Sequence, residues 1–511
     1  MFKCKQLLRR ICVVSYVFLL CGGLVNASNL VSKTNTLIGT QGNGWASGYL
    51  YPGATYPFGM VQFTPTYFTK QLGFVINQLS GAGCDHMGNF PTLPIAGALR
   101  VSPDSILNMQ TPVGKEIGTA GYYAATVDHS IRAELTVTER TGMARYTFSS
   151  KEKQGTVIIG GGVAATSIQV AAIKITGPHS CEGYAEGGAF CGIPTPYKVY
   201  FVAEFDADAE SFGTWKEERL HANHTFAEGN HSGVYFTFPL KEGNQAVQYK
   251  IGVSYVSVEN ARENLRVENP AWDFSAVRQA TQDKWNEYLG KIEVEGDNED
   301  RQMQFYTHLY RSLIHPNVCS DVNGEYMGAD SQVHKTARKF YTSFSNWDTY
   351  RTQTALIAML APEETSDIVM SHYLFAEQSG GGFPRWVLAN IETGVMQGDP
   401  TPILVANAYA FGARNYDPRT LLRTMRYGAE VPGANSQGVL TRPGLEQYLE
   451  KGYYDASILL EYTSSDFAIG RFALQACNDE PVCNWYTQRA MNWKNLFNLS
   501  LIHISEPTRP Y

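Results

Sequence analysis

A chain of 511 residues, 44% hydrophobic and 17% charged, has a globular composition and calls for two or more domains, because single cores rarely grow past about 250–300 residues. The formal charge of −7 is mild and spread along the chain. No Lys/Arg stripe is present, which argues against nucleic acid as a partner.

Lys3, Lys5, Arg9 and Arg10 precede an apolar run from Ile11 to Val25, and Val25 and Ala27 put small residues at positions −3 and −1 of a cleavage site. That is the pattern of a secretory signal peptide over residues 1–27, cut after Ala27. Cys21 follows Leu20 rather than a small residue, which makes a lipid anchor the weaker reading. No other segment approaches the roughly 20 apolar residues that span a bilayer. The expected product is exported, periplasmic or secreted, without a transmembrane segment.

Residues 28–272 contain runs such as YYAATVDH, IRAELTVTE, KVYFVAEF and VQYKIGVSYVSV, broken by Gly, Pro and Asn. Their period of two predicts an antiparallel β-sandwich. Two pairs of cysteines stand close in the chain: Cys181 and Cys191 around EGYAEGGAF, and Cys477 and Cys483 around NDEPV. Both spacings predict local disulfides in an oxidising compartment, with free buried thiols as the alternative.

Asn269-Pro270-Ala271-Trp272 marks a change of pattern. Residues 273–299 read as a linker of one helix (AVRQATQDKWNEYLGKI) and one strand (IEVEG). Residues 300–500 read as successive helices joined by Gly/Pro loops, among them EETSDIVMSHYLFAEQ, TPILVANAYAFG and ASILLEYTSSDFAIGRFALQAC. No fixed repeat emerges, so a solenoid is not expected. The predicted fold class is multi-domain β + α, an N-terminal antiparallel β-sandwich followed by a helical domain. Residues 501–511, LIHISEPTRPY, continue no helical period and read as a tail foreign to the rest.

Three polar-aromatic clusters lie in the helical half: Trp347, Asp348 and Arg351 in WDTYRT, Trp386 in GGFPRW, and Asp399 in MQGDP. An indole face beside a carboxylate and a guanidinium suits a sugar, whose C–H face lies on the ring while its hydroxyls meet the charges. Each cluster taken singly has a plainer explanation. The tryptophans can be core residues, Asp348 and Arg351 an i,i+3 helix pair, and Asp399 the cap of the helix that follows Pro400-Thr401-Pro402.

WDTYRT, GGFPRW and MQGDP in this order closely resemble family 92 of the glycoside hydrolases, the calcium-dependent exo-acting α-mannosidases. GTQGNGWASGYLYPGATYPFGMVQFTPT (Gly39–Thr66), GFVINQLSGAGC (Gly73–Cys84), ELTVTERTGMARYTF (Glu134–Phe148) and LEYTSSDFAIGRFAL (Leu460–Leu474) are similar to the same family.

The resemblance implies an (α/α)6 toroid behind the sandwich, of whose helices this chain supplies about half. With the foreign-looking tail, the expectation is a truncated product and an incomplete toroid. The resemblance also implies inverting hydrolysis of terminal α-linked mannose, of α-1,2 type, on a mannose-containing glycan. The family's general acid lies in a Glu-Gly-Asn segment and its base in an Asp-rich turn before Cys-Gly-Gln. Neither segment is present, so no catalytic residue and no Ca2+ ligand transfers to this chain, and the chain alone is expected to be inactive. A non-catalytic carbohydrate-binding protein is the alternative.

Substrate positioning does transfer: Asp348 as a hydroxyl acceptor framed by Trp347 and Arg351, Trp386 at the rim, Asp399, and the small-residue loop with Gly81, Gly83 and Cys84. Glu461 and Asp466 are expected to brace helices. Val75-Ile76-Asn77-Gln78 departs from the family's usual Ser-His-Thr-His and bears on linkage.

Overall fold

The period-two pattern becomes two sheets because one side of each strand can be buried. In Ile131–Val137 and Ile168–Gly177, Ala133, Leu135, Val137, Ala171, Ile173 and Ile175 are buried while Lys174 is exposed. Strands between Ala54 and Ser254 form antiparallel sheets of eight and nine strands. They pack face to face, with Phe205 of one against Phe236 and Phe238 of the other at ring-centroid distances of 5.0 and 4.9 Å. In the nine-stranded sheet, Ser180–Phe190 and Ile193–Phe205 make a long hairpin. The computed structural model describes residues 29–40, 48–66, 73–104, 113–128, 130–242, 245–498 and 503–504. The expected signal peptide lies outside them, as does most of the 501–511 tail.

Helices follow the last sandwich strand: α1 (Val258–Glu268), α2 (Phe274–Leu289), α3 (Glu299–Ser312), α4 (Asn346–Thr349), α5 (Gln353–Leu360), α6 (Pro362–Ser379), α7 (Thr401–Ala410), α8 (Pro418–Glu430), α9 (Leu445–Lys451), α10 (Ala456–Cys477) and α11 (Glu480–Ala490). Six of them start at a Ser, Asp or Asn whose side chain accepts a backbone N–H of the first turn. The long helix α10 buries Ile469, Phe472 and Ala473 against residues of α7, α8 and α11. A separate cluster seals the sandwich to the helices. Trp285 of α2 donates its indole N–H to the Thr55 carbonyl at 2.7 Å and packs on Tyr310 at 4.6 Å, beside Tyr51 and Phe58 of the N-terminal half.

The structure corrects four sequence expectations. A helix, α1, stands at the end of the stretch read as strands, because Ser257 caps it and Ala261 and Leu265, four apart, both face Val202 of the sheet. The expected strand IEVEG is not one; the Val294 amide donates instead to the Tyr306 hydroxyl at 3.1 Å.

The local disulfides do not form. Cys181 and Cys191 stand at the two ends of one extended strand, and ten residues at roughly 3.3 Å each far exceed the span of a disulfide. Cys191 bonds Cys84 instead, with Cα atoms 5.1 Å apart. Cys477 and Cys483 are buried free thiols in α10 and α11. Finally, Asp399 is not a helix cap: Pro400 holds that position, and the Asp399 carboxylate binds Arg442 at 2.8 Å.

Candidate active site

A cavity of about 530 Å3 lies between the loop Leu79–Cys84 of the sandwich and the first helices of the helical domain. The loop is held by its amides. Leu79 N–H donates to His86 Nε2 at 2.8 Å, Ser80 N–H to His315 Nε2 at 2.9 Å, and Gly81 N–H to the Tyr49 carbonyl at 2.9 Å.

Because each imidazole accepts at Nε2, its proton sits on Nδ1. His86 Nδ1–H faces the Cys84 carbonyl at 2.6 Å, and His315 Nδ1–H faces Asn317 Oδ1 at 2.7 Å. A second proton would clash with the amide N–H. Burial lowers both imidazoles to about pKa 4 from an ordinary 6.5. The folded state therefore refuses protons that the unfolded chain takes up below pH 6.5. Stability is full above that pH and falls between 6.5 and 4, by about 1.4 kcal/mol per unit for each imidazole. Thermal melts between pH 7.5 and 4.5 should show this decline, and a flat melting temperature would contradict the neutral tautomers.

Asp348 faces the loop from the other side. It belongs to α4, whose residue Asn346 is locked in place: its Nδ2 donates to the Pro384 carbonyl at 3.1 Å and to Thr401 Oγ1 at 2.8 Å, and its Oδ1 lies 2.9 Å from His372 Nε2. Asp348 is exposed and accepts from the Ser345 hydroxyl. Ser345 pairs in a small sheet with Trp386, so WDTYRT and GGFPRW meet at this cavity.

Trp386 is held by Glu392, whose carboxylate accepts the N–H groups of Arg385 at 2.6 Å, Trp386 at 3.2 Å and Gly394 at 2.9 Å. One face of the Trp386 indole is stacked on Phe190 at 4.2 Å. It is 4% exposed, so it forms a wall rather than an exposed rim. Phe344, Ile357, Ile368 and Leu404 make an apolar floor.

Of the candidate residues, Gly81, Gly83, Cys84, Asp348 and Trp386 line this cavity, and Trp347, Arg351 and Asp399 do not. Trp347 donates its indole N–H to Glu461 Oε1 at 3.0 Å and carries the Arg351 guanidinium over its ring at 4.5 Å. Arg351 reaches the same carboxylate at 3.6 Å. These three brace α10 against the α4 turn. Asp399 belongs to a buried ionic chain with Arg442, Asp466 and Arg489. Val75, Ile76, Asn77 and Gln78 are buried beneath the loop and are not among the lining residues.

The models of two domains match this chain: the glycosyl hydrolase family 92 N-terminal domain over residues 34–254 and the glycosyl hydrolase family 92 catalytic domain over residues 260–507. The chain belongs to glycoside hydrolase family 92. A family-92 α-mannosidase from Bacteroides thetaiotaomicron is 23% identical, with a TM-score of 0.84 over 93% of this chain and 67% of that one. A family-92 inverting mannosidase of the same organism is 25% identical, with a TM-score of 0.82 over 93% and 66%. An uncharacterised secreted glycosidase of Arthroderma benhamiae is 25% identical over 533 residues. The alignment takes in 92% of this chain and 62% of the fungal protein's length.

Calcium, which the family resemblance implies, asks for a set of oxygen donors. Among the described residues no cluster of three or more His, Cys, Asp or Glu is placed to hold a metal ion. The lining offers one carboxylate, Asp348, where calcium takes about six to eight oxygens. The donor set present does not fit it.

Sequence reasoning missed Phe190, Cys191, His315, His372 and Met396, all on the lining. Cys191-Gly192 carried a turn signal at the hairpin tip. The histidines carried none, since their role depends on which amide and amide side chain the fold brings to each ring.

Proposed function

We propose that this chain carries the mannose-gripping pocket of an exported family-92 α-mannosidase, which removes terminal α-linked mannose with inversion and, by family resemblance, with calcium that the described lining alone would not hold. The observation that carries this reading is one cavity on which Asp348 of the helical domain faces the Gly81–Cys84 loop of the sandwich. The Phe190–Trp386 pair offers apolar surface to the sugar's C–H face, and Asp348 accepts its hydroxyls through charge-assisted hydrogen bonds. Inversion, calcium and α-1,2 linkage rest on family resemblance. Export rests on the signal-peptide pattern and on the secreted relative.

An inverting glycosidase needs two carboxyl groups about 6.5–9.5 Å apart, and the described lining has one. The protein as it stands should therefore bind mannosides without cleaving them, an outcome it shares with a non-catalytic sugar-binding protein. Calorimetric titration with methyl α-mannoside against methyl α-glucoside checks recognition; equal or absent heats would remove the mannose assignment. Release of nitrophenol from 4-nitrophenyl α-mannoside, stopped by a chelator, would overturn the expected inactivity. A panel of α-1,2, α-1,3, α-1,4 and α-1,6 mannobioses ranks linkage.

A further inference from the structure

The cavity's sandwich side is tied together covalently where its loop meets the hairpin tip. Between Gly81 and Cys84 the two glycines make few contacts, while Ala82 and Cys84 pack partly against the sandwich core. A Cβ on Gly81 would meet nothing within 4 Å, and one on Gly83 would meet only the Tyr49 ring, at 3.5 Å. Two glycines in four residues make this segment costly to order. At its start the loop is fixed by the imidazoles of His86 and His315. At its end Cys84 is held twice: its carbonyl accepts from His86 Nδ1 at 2.6 Å, and its sulfur is bonded to Cys191, 107 residues away at the hairpin tip.

The tip itself turns through left-handed residues, Cys191 at φ 50° and Gly192 at φ 79°. The preceding residue, Phe190, is stacked on Trp386 of the helical domain with the rings 25° apart. Phe190, Cys191, Cys84 and Trp386 all line the cavity. Cys191 is exposed and Cys84 partly buried, so a small thiol can reach the bond.

We propose that the Cys84–Cys191 disulfide is a positioning device that holds the sugar-facing loop and the Phe190–Trp386 wall in one arrangement, so that sugar binding depends on the redox state of the surroundings. This rests on the mannose-binding reading above. A dithiol such as dithiothreitol switches it. The S–S bond breaks, each cysteine sulfur takes up one electron and one proton, and the dithiol closes to its own cyclic disulfide. The freed loop then samples many conformations, and binding must first reorder it.

The test compares the oxidised protein with protein reduced by dithiothreitol, with reduction confirmed by mass and folding by far-ultraviolet circular dichroism. Amide hydrogen exchange in peptides covering 79–86 and 188–194 should quicken at least tenfold on reduction, while the central strand 154–160 stays unchanged. Affinity for methyl α-mannoside should fall at least tenfold and return on reoxidation. Cys191→Ser should behave like the reduced protein and no longer respond to dithiothreitol. Unchanged exchange in both peptides after complete reduction would overturn the proposal, as would faster exchange with unchanged affinity. If the oxidised protein binds no mannoside, the mannose reading falls, and the exchange comparison still judges the tether.

Discussion

Replacing Arg442 with methionine should destabilise the protein by about 3–5 kcal/mol, the usual effect of removing one partner from a buried ion pair. Arg442 is fully buried, with its Nε 2.8 Å from Asp399 Oδ2 and its Nη1 2.7 Å from Asp466 Oδ1. Burial holds the Asp399 carboxyl above its ordinary range in spite of Arg442. Burial also opposes charge on Asp466, yet Arg442 and Arg489 outweigh it and hold that carboxyl below its ordinary value. Two carboxylates and two guanidiniums balance here, and the Tyr448 hydroxyl donates to Asp466 Oδ2 at 2.7 Å.

Methionine fills the space but leaves the buried Asp399 carboxyl without its nearest cation. Lysine keeps the charge but cannot bridge both carboxylates with a planar fork. The denaturation midpoints should therefore run wild type, then Arg442→Lys, then Arg442→Met. Against a total stability of about 5–15 kcal/mol, the methionine variant should lose a large part of its stability and unfold at much lower denaturant. A methionine variant within about 1 kcal/mol of wild type would show that the ionic chain contributes little.

Asp348→Ala should lose mannoside binding while keeping the fold. A hydrogen bond to a charged group contributes about 1.5–3 kcal/mol, so loss of this acceptor should weaken affinity by roughly 10- to 150-fold. Asp348→Asn keeps the shape without the charge and should fall between alanine and wild type. The fold should tolerate both changes within about 0.5 kcal/mol, because Asp348 is exposed and its contact with Ser345 is a surface one. Titration of both variants with methyl α-mannoside, beside their thermal melts, separates the two effects. Wild-type affinity in Asp348→Ala would remove Asp348 from the sugar site.

Local pattern carried well where a structure depends on neighbours in the chain. Period-two alternation in runs such as IRAELTVTE and KVYFVAEF, which fall on Ile131–Val137 and Ile193–Phe205, was enough to predict the sandwich, since pleating alone puts alternate side chains on opposite faces. The helical spacing of ASILLEYTSSDFAIGRFALQAC likewise marked α10 over Ala456–Cys477. The clusters WDTYRT and GGFPRW also announced the cavity region. They could not say which of their side chains reach it. The α4 turn sends Asp348 to the cavity and Trp347 to Glu461, although the two are adjacent in sequence.

Cysteine pairing failed for the same reason: Cys181 and Cys191 looked close by number, and the strand between them made them distant.

The sequence by itself therefore determined the class of most elements, the order of sandwich and helices, and the family, because these follow from short-range periodicity and short motifs. Only the tertiary structure decided the Cys84–Cys191 bond, the neutral histidines under the loop, the Phe190–Trp386 wall and the burial of Asp399 on Arg442. Each of these joins residues from different elements. Their chemistry arises from burial and partner geometry, which exist once the chain has packed and which no local pattern encodes.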